Sequence, residues 1–395
     1  MDIFDKQIDT EDELGMKQKE QAFLTLGEKL FNQKDAKGLG DLIVKVRPFL
    51  KQVSRSKAAR IVRNLVDQFL DLEGGSGREI TLCQDCIDWA KAENRSYLRQ
   101  ALEARLMGLY FDNKKYNEAL KLGSGLLTEL KKLDDKILLV EVQLMESQVY
   151  YRLNNLQRAK AALTSARTTA NSIYCPPKLQ ASLDLCSGIL HCADEREFKT
   201  AYSYFYEAFE GFDSVNSSKA LISLQYMLLC KIMMNCADEI NNVLTSKLGM
   251  RYKGSGIDAL KEIGKAAHNR SLGEFKTVRE KYSVVLDQDP VLTKHLSSFY
   301  HTLLGRNLVK LIEPYSRVHI KHIADKINLP LSTVEKKLSQ MILDKEINGI
   351  LDQGDGVLII AEDPDQGERY DHALDTISSL GHVVDLLFQK SKKLT

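Results

Sequence analysis

Proline is almost missing from the first half of the chain, and this feature constrains the fold more than any other. No proline lies between Pro48 and Pro176, although proteins in general contain about 5% proline. Proline breaks the interior of a helix because its ring removes a backbone hydrogen bond and collides with the preceding turn. A proline-free stretch of this length therefore predicts an almost unbroken series of helices.

The composition is that of a globular protein and excludes disordered and collagen-like chains. Apolar residues make up 44% of the 395 residues, and charged residues make up 28%. The 55 basic and 54 acidic side chains leave a net charge of +1, so no overall field attracts nucleic acid or an anionic membrane. We therefore expect partners that are recognised through shape and local patches.

The sequence also has the features of an intracellular protein. No apolar run approaches the roughly 18 residues of a membrane span, and the N-terminus is acidic where a signal peptide would be basic. Most of the seven cysteines lie among apolar residues in helical patterns. This placement predicts reduced, buried thiols.

A repeat of about 40 residues is visible in the chain, within the range of helical solenoids. Its aromatic and small residues recur in two sets, which are Tyr110, Phe111, Tyr116 and Ala119, then Tyr150, Tyr151, Leu156 and Ala159. Each set indicates a helical hairpin, in which aromatics end one helix, a polar turn follows and a small residue lets the next helix pack closely. The repeat predicts a mainly α-helical fold, a right-handed TPR-like solenoid over residues 21–288. One irregular helical bundle is the alternative.

A helix predicted over residues 134–151 supports the solenoid, because apolar residues cover most of its circumference and such helices are buried on several sides. Flexible loops are predicted at residues 73–77 and 253–256, and a helix end followed by a helix start at residues 174–177. Residues 1–20 are expected to form an acidic, flexible segment before the solenoid.

From residue 289 the pattern changes to that of a winged helix, predicted over residues 289–362. A helix to residue 312 is followed by a short strand at 318–320, a second helix, a turn at 328–331 and a third helix. Ser332 and Glu335 have the spacing of a capping box at the start of that third helix. Two strands at 347–351 and 357–360 follow, joined by an Asp-Gly turn.

The last segment, residues 363–395, is predicted to be a helix with an apolar stripe. Its members alternate spacings of three and four, as in a heptad repeat, and we call them the tail stripe: Tyr370, Ala373, Ile377, Leu380, Val384 and Leu387. Burying the five larger members is worth about 7 to 15 kcal/mol, and association costs about 4 to 15 kcal/mol. One helix pairing is therefore marginal, and we expect tail and winged helix to bind partners together.

The second wing strand is apolar throughout, with the sequence Val357, Leu358, Ile359 and Ile360. A small sheet that packs one face on helices should alternate apolar and polar residues. We therefore predict that one alternate pair, either Val357 with Ile359 or Leu358 with Ile360, faces a partner, together with a free edge of the strand. The alternative is that the chain's own C-terminal helix covers this face.

The order of solenoid, winged helix and helical tail resembles the PCI family, which includes subunits of the proteasome lid, the signalosome and an initiation factor. Two segments carry the resemblance, LIEPYSRV at 311–318 and LPLSTVE at 329–335, with Ile323 and Ala324 between them. The similarity extends from about Lys19 onward. Within the family the chain most resembles the non-ATPase lid subunits, although the second signalosome subunit has the same layout.

The resemblance implies a non-catalytic scaffold in ubiquitin-dependent protein degradation, in the cytoplasm and nucleus, with no cofactor. In the family, winged-helix edges meet those of other PCI subunits and the C-terminal helices gather in a bundle. The resemblance further implies that the solenoid holds the lid against the ATPase ring and the α-ring of the core particle. A signalosome subunit is the alternative, and a nucleic-acid-binding winged helix is less favoured.

Residues with catalytic or metal-binding chemistry do not form a recognised pattern. Cys83 and Cys86 are a lone CxxC without the second pair that zinc needs, and His319 and His322 span a strand–helix junction. No Gly-x-Ser-x-Gly elbow is present. On the third helix of the winged helix, the charges of the lysines and the acidic residues cancel. This disfavours binding of that helix in the major groove of DNA. We expect no enzyme, no metal, no nucleic acid and no membrane.

Overall fold

The computed structural model describes residues 13–33, 36–50, 55–72, 78–194, 197–236, 238–246, 249–269, 271–327, 329–361 and 365–392. These residues form nineteen α-helices, one short 3₁₀ helix and one three-stranded sheet. The chain divides into two compact units, Met1–Cys230 and Lys231–Thr395. Each unit is described by itself.

The first unit is a series of helices that follow one another closely along the chain. In chain order they are α1 Glu13–Asn32, α2 Ala36–Leu50, α3 Arg55–Leu72, α4 Arg78–Ala92, α5 Ser96–Asp112, α6 Tyr116–Leu133, α7 Lys136–Arg152, α8 Leu156–Asn171, α9 Pro177–Ala193, α10 Phe198–Ser214 and α11 Lys219–Met233, whose last three residues belong to the second unit. From α1 to α10 each helix packs against the next, and α1, α3, α5, α7 and α9 also contact one another in succession. Stacked hairpins of this kind form a helical solenoid, as predicted.

The repeat is set by turns with left-handed backbone geometry. The turn residues Asn94, Lys114, Asp134 and Asn154 all have a positive φ, between 50° and 60°, and they recur every twenty residues along the chain. After Lys114, the Lys115 N–H donates to the Tyr110 carbonyl at 2.8 Å, which is the wide hydrogen bond of a Schellman motif. The predicted repeat of about 40 residues is therefore two helices, each ended by such a turn.

The Lys114 turn provides a stability prediction. A non-glycine residue in the left-handed region costs roughly 1 to 2 kcal/mol, so Lys114→Gly is expected to raise the free energy of unfolding by about 1 kcal/mol. Lys121→Gly, in the exposed interior of α6, is the matched control and should lower it by about the same amount. Urea denaturation followed by circular dichroism measures both. A destabilised Lys114→Gly variant would contradict the prediction.

The packing inside the solenoid follows the sequence pattern. Helix α7 buries Leu139, Val142, Leu144 and Val149 on several sides, as its apolar circumference predicted. The small residues near the helix starts are fully buried, and they are Ala119, Ala159 and Ala201. Pro176 is the N-cap of α9 and Pro177 is its first residue, which confirms the predicted helix start there.

The second unit contains short helices, a long helix and the winged helix. After the end of α11 its helices are α12 Asp238–Thr245, the 3₁₀ helix Gly249–Arg251, α13 Ser255–His268, α14 Leu272–Lys281, α15 Ser283–Leu286, α16 Pro290–Ile312, α17 Ile320–Ile327, α18 Leu331–Leu343 and α19 Asp365–Lys392. The strands are β1 Arg317–His319, β2 Gly349–Asp352 and β3 Val357–Ile360, in the antiparallel order β1-β3-β2. This arrangement of helices and hairpin is the predicted winged helix followed by a helical tail.

The step into the winged helix is a short, hydrogen-bonded turn. The Asp289 carboxylate accepts a hydrogen bond from the Val291 N–H at 3.0 Å, and the Thr293 hydroxyl donates to the Leu286 carbonyl at 3.1 Å. These contacts join the end of α15 to the start of α16. The boundary between residues 288 and 289 stays a prediction.

Five local predictions differ from the structure or lie outside the described residues. The capping box was wrong, because Pro330 occupies the N-cap of α18 and its fixed φ starts the helix before Ser332. Ser255 already begins α13, so the predicted loop at 253–256 is shorter, and β2 begins at Gly349. Helix α1 begins at Glu13, inside the segment predicted to precede the solenoid. Residues 73–77 lie outside the described residues.

Candidate assembly interface

The tail helix α19 presents its apolar side chains to solvent. Every side chain described from Tyr370 to Lys392 is exposed, and Ile377, Leu380 and Val384 keep 65%, 59% and 61% of their surface accessible. A helix of 28 residues extends about 42 Å. The structure therefore places all six members of the tail stripe on one long helix that the other described residues of the second unit leave uncovered.

The apolar surface of α19 is wider than the tail stripe. Leu374, Val383 and Phe388 are also exposed and flank it, and Leu386 is exposed at an outward-facing c position. In heptad terms Leu374 and Phe388 occupy e positions and Val383 a g position, beside the a and d positions of the stripe. A two-stranded coiled coil needs little more than the a and d positions, whereas a broad apolar face is buried by several helices. This width is suited to a helical bundle with more than one partner helix.

The winged-helix sheet differs from the prediction in the place of its apolar strand. Strand β3 is central, since β1 pairs with it on one side and β2 on the other, with Val318 opposite Leu358 and Ile350 opposite Ile359. The prediction of a free edge on β3 was therefore wrong, and the open edges of this sheet belong to β1 and β2. The alternative prediction, that the C-terminal helix covers this sheet, was also wrong, because the described side chains of α19 are exposed.

Burial divides β3 along its length rather than by face. Val357 and Leu358 are 2% and 0% exposed, whereas Ile359 is 40% exposed and Ile360 is half-buried. The expectation that one alternate pair faces outward was wrong, because neighbouring residues on opposite faces are both covered at the start of the strand. Only Ile359 and Ile360 of this strand offer accessible apolar surface.

The sequence prediction missed an exposed partner of Ile359. Ile350 on β2 lies directly opposite it, on the same face of the sheet, and is 68% exposed. Alternation along β2 could have revealed this residue, but only once β2 was known to begin at Gly349. Leu343 at the end of α18 is a second missed apolar residue, 81% exposed.

The solenoid carries a separate groove across α3, α5 and α7. It has a volume of about 490 Å³, and its lining includes Arg63, Tyr97, Arg105, Ile137 and Glu141. Tyr97 and Ile137 are 66% and 47% exposed. Burial raises the pKa of the Glu141 carboxyl, and the positive charge of Arg63 opposes that rise. The groove thus combines exposed apolar side chains with charges of both signs.

The residues considered for metal binding do not come together in the described part of the chain. Cys83 and Cys86 are both buried on α4. Among the described residues, no three His, Cys, Asp or Glu side chains are grouped as a metal site. His322 instead stacks edge-on against Tyr315 at a ring distance of 6.1 Å. Of the described helices, none has the length and hydropathy to cross a membrane.

Three family models match the chain in the order of these parts. Residues 1–113 match the 26S proteasome regulatory subunit RPN6 N-terminal domain, and residues 280–362 match the PCI domain. Residues 368–392, which lie within α19, match the 26S proteasome subunit RPN6 C-terminal helix domain. The tail stripe thus falls in a segment that has a family model of its own.

Similar proteins occur in plants, animals and fungi. A 26S proteasome non-ATPase regulatory subunit 11 homolog of Arabidopsis thaliana is 49% identical over 95% of this chain and 90% of its own length. A probable 26S proteasome regulatory subunit rpn-6.1 of Caenorhabditis elegans is 49% identical over 96% of this chain and 87% of its own. RPN6 of Saccharomyces cerevisiae is 42% identical over 95% of this chain and 88% of its own. By this similarity the chain belongs to the RPN6 family of 26S proteasome regulatory subunits.

Proposed function

We propose that the chain is a non-catalytic scaffold of the proteasome regulatory lid, acting in ubiquitin-dependent protein degradation in cytoplasm and nucleus. The observation that carries this proposal is the long, wide and exposed apolar face of α19. The relatives are named as non-ATPase regulatory subunits of the 26S proteasome, which supports the proteasome over the signalosome.

The partner of α19 in this proposal is a bundle of helices from other PCI subunits. The central positions of the α19 stripe are Ile377, Leu380 and Val384, and burying each of these side chains is worth roughly 1.5 to 3 kcal/mol. Since forming a complex costs about 4 to 15 kcal/mol, the tail alone holds a partner only weakly. A second contact on the same chain lowers that cost, because its binding is then intramolecular.

The winged-helix sheet supplies the second contact. Ile350 and Ile359 form an exposed apolar pair on one face, and the open edges of β1 and β2 present backbone donors and acceptors. We propose that another PCI subunit binds this face and one of these edges. The solenoid groove with Tyr97 and Ile137 is the surface we propose for contact with the ATPase ring or the core α-ring.

Purification of a tagged chain from cells at moderate salt tests the proposal. We expect lid, ATPase and core subunits to co-purify, and their identification by mass spectrometry is the measurement. Co-purification of signalosome subunits without proteasome subunits would refute the assignment to the lid. The same sample also tests for bound nucleic acid. Proteins that co-purify only through nucleic acid would be lost after nuclease treatment.

The sheet contact has a specific prediction. The double variant Ile350→Asp/Ile359→Asp should fold normally, because both side chains are exposed, and should incorporate poorly into proteasomes. Leu358→Asp should instead unfold the winged helix, because it buries an unpaired carboxylate at a fully covered position. Circular dichroism and co-purification separate the two results. Wild-type incorporation of the double variant would show that this face is not an interface.

A further inference from the structure

Two cysteine thiols from different helices meet inside the solenoid. Cys192 lies in the last turn of α9 and Cys230 lies on α11, with a distance of 3.4 Å between their Sγ atoms. The two residues are 1% and 0% exposed. At this distance the thiols share an S–H hydrogen bond, and either sulfur can be the donor.

Other described cysteines have different surroundings. Cys83 and Cys86 are three residues apart on one helix, and Cys236 donates to the Met234 carbonyl. Cys186 is also on α9, but its thiol is hydrogen-bonded to Ser147 and Gln148 rather than to a second thiol, and burial raises its pKa to about 11. The contact between Cys192 and Cys230, in contrast, joins the thiols of two helices.

We propose that Cys192 and Cys230 are a site of reversible oxidation, at which a hydroperoxide converts the two thiols into an intrachain disulfide. A disulfide needs its sulfurs about 2.05 Å apart, so the present 3.4 Å must shorten by about 1.4 Å. The site is independent of the assembly surfaces proposed above, since both cysteines are buried in the first unit and neither lines the groove across α3, α5 and α7.

The chemistry proceeds in two balanced steps. The thiolate of one cysteine attacks the peroxide oxygen, giving a sulfenic acid and releasing an alcohol, or water when the oxidant is hydrogen peroxide. The second thiol then attacks the sulfenic sulfur, forming the S–S bond and releasing water. The two thiols together lose two electrons, which reduce the peroxide, and a dithiol reductant reverses the reaction.

The position of Cys192 indicates which thiol reacts first. It is followed by a single residue of α9, and helix ends open more readily than helix interiors. Cys230 has three further residues of α11 after it. Opening the end of α9 exposes Cys192 to the oxidant, and closing it returns the sulfenic acid to Cys230.

The disulfide would connect α9 to α11 across α10 and close a loop of the 38 residues that separate the two cysteines (230 minus 192). Such a cross-link restricts the unfolded chain and so stabilises the folded one. We therefore expect the oxidised solenoid to unfold at a higher urea concentration than the reduced solenoid.

The experiment uses the full chain, treated with hydrogen peroxide, blocked with iodoacetamide and digested with trypsin without reductant. We expect tryptic peptides 179–196 and 220–231 to be joined in most molecules and separated by dithiothreitol. Cys192→Ala and Cys230→Ala should each abolish the cross-link. Cys186→Ala is the matched control, because it removes the other cysteine of the same peptide and should retain the cross-link.

A second measurement does not depend on the variants folding well. The urea midpoint of the wild-type chain should rise on oxidation and return to its starting value on reduction. If Cys192 and Cys230 are both recovered as alkylated thiols after Cys175 has been oxidised, the proposal is overturned. A cross-link that persists in Cys192→Ala and joins Cys186 instead would overturn it as well.

Discussion

Replacing Ile377 and Val384 by Asp is expected to abolish incorporation of the chain into proteasomes and to leave its thermal unfolding unchanged. Both side chains are exposed in the chain alone, at 65% and 61%, so the carboxylates remain solvated there. In a helical bundle they would be buried without a partner, at a cost of at least about 5 kcal/mol for the pair. Since 1.4 kcal/mol corresponds to a tenfold change in affinity, the affinity of the tail for its partner helices should fall by more than about 10³-fold.

A matched control lies on the opposite side of the same helix. His382 and Gln389 are also seven residues apart, are exposed, and occupy f positions of the heptad. His382→Asp/Gln389→Asp changes both residues to the same acid and should incorporate like the wild type. Co-purification with lid subunits and a melting curve of each isolated variant are the measurements.

Truncation after Glu368 should reproduce the result of the Ile377 and Val384 substitutions. It removes the tail stripe completely and should hardly change the melting temperature. A large fall in that temperature would show that the stripe belongs to this chain's own core. Normal yield of the truncated chain in purified proteasomes would refute the role of α19 in assembly.

The sequence was sufficient for the features that arise from local periodicity. The six residues of the tail stripe alternate spacings of three and four, so they had to share one face of any helix that formed. Tyr110 and Tyr150 recur forty residues apart, and each of them precedes a turn of the same geometry. This recurrence identified the hairpins. Each spacing in the stripe and each turn depends only on residues within two helical turns of one another.

Features that depend on distant residues were not predictable in the same way. The place of β3 at the centre of the sheet depends on its pairing with β1, about forty residues earlier in the chain. Its four apolar residues could not reveal whether one edge was free. The exposure of Ile350 required the exact register of β2 against β3, and a shift of one residue would have reversed its face.

A tight helix crossing in the solenoid depends on a glycine whose importance the sequence did not indicate. Gly188 on α9 packs against Phe205 on α10, and a Cβ atom at this glycine would lie 2.5 Å from the Phe205 ring. Phe205 is fully buried, so its ring has no space into which to move. Farther along the same pair of helices, a Cβ at Gly211 would lie 2.9 Å from the Ala181 Cβ.

Gly188→Ala is therefore expected to destabilise the solenoid by about 2 kcal/mol, as overpacking of a core does, even though alanine is the better helix former. Gly125→Ala on the exposed face of α6 is the matched control. No atom lies within 4 Å of its new methyl group, so it should stabilise the protein by roughly 0.5 to 1 kcal/mol. Urea denaturation measures both changes.

Phe205→Leu provides the decisive test, because a smaller side chain makes room for the methyl group. The double variant Gly188→Ala/Phe205→Leu should therefore lose less stability than the sum of the two single changes. Strict additivity would show that contact with Phe205 is not the cause.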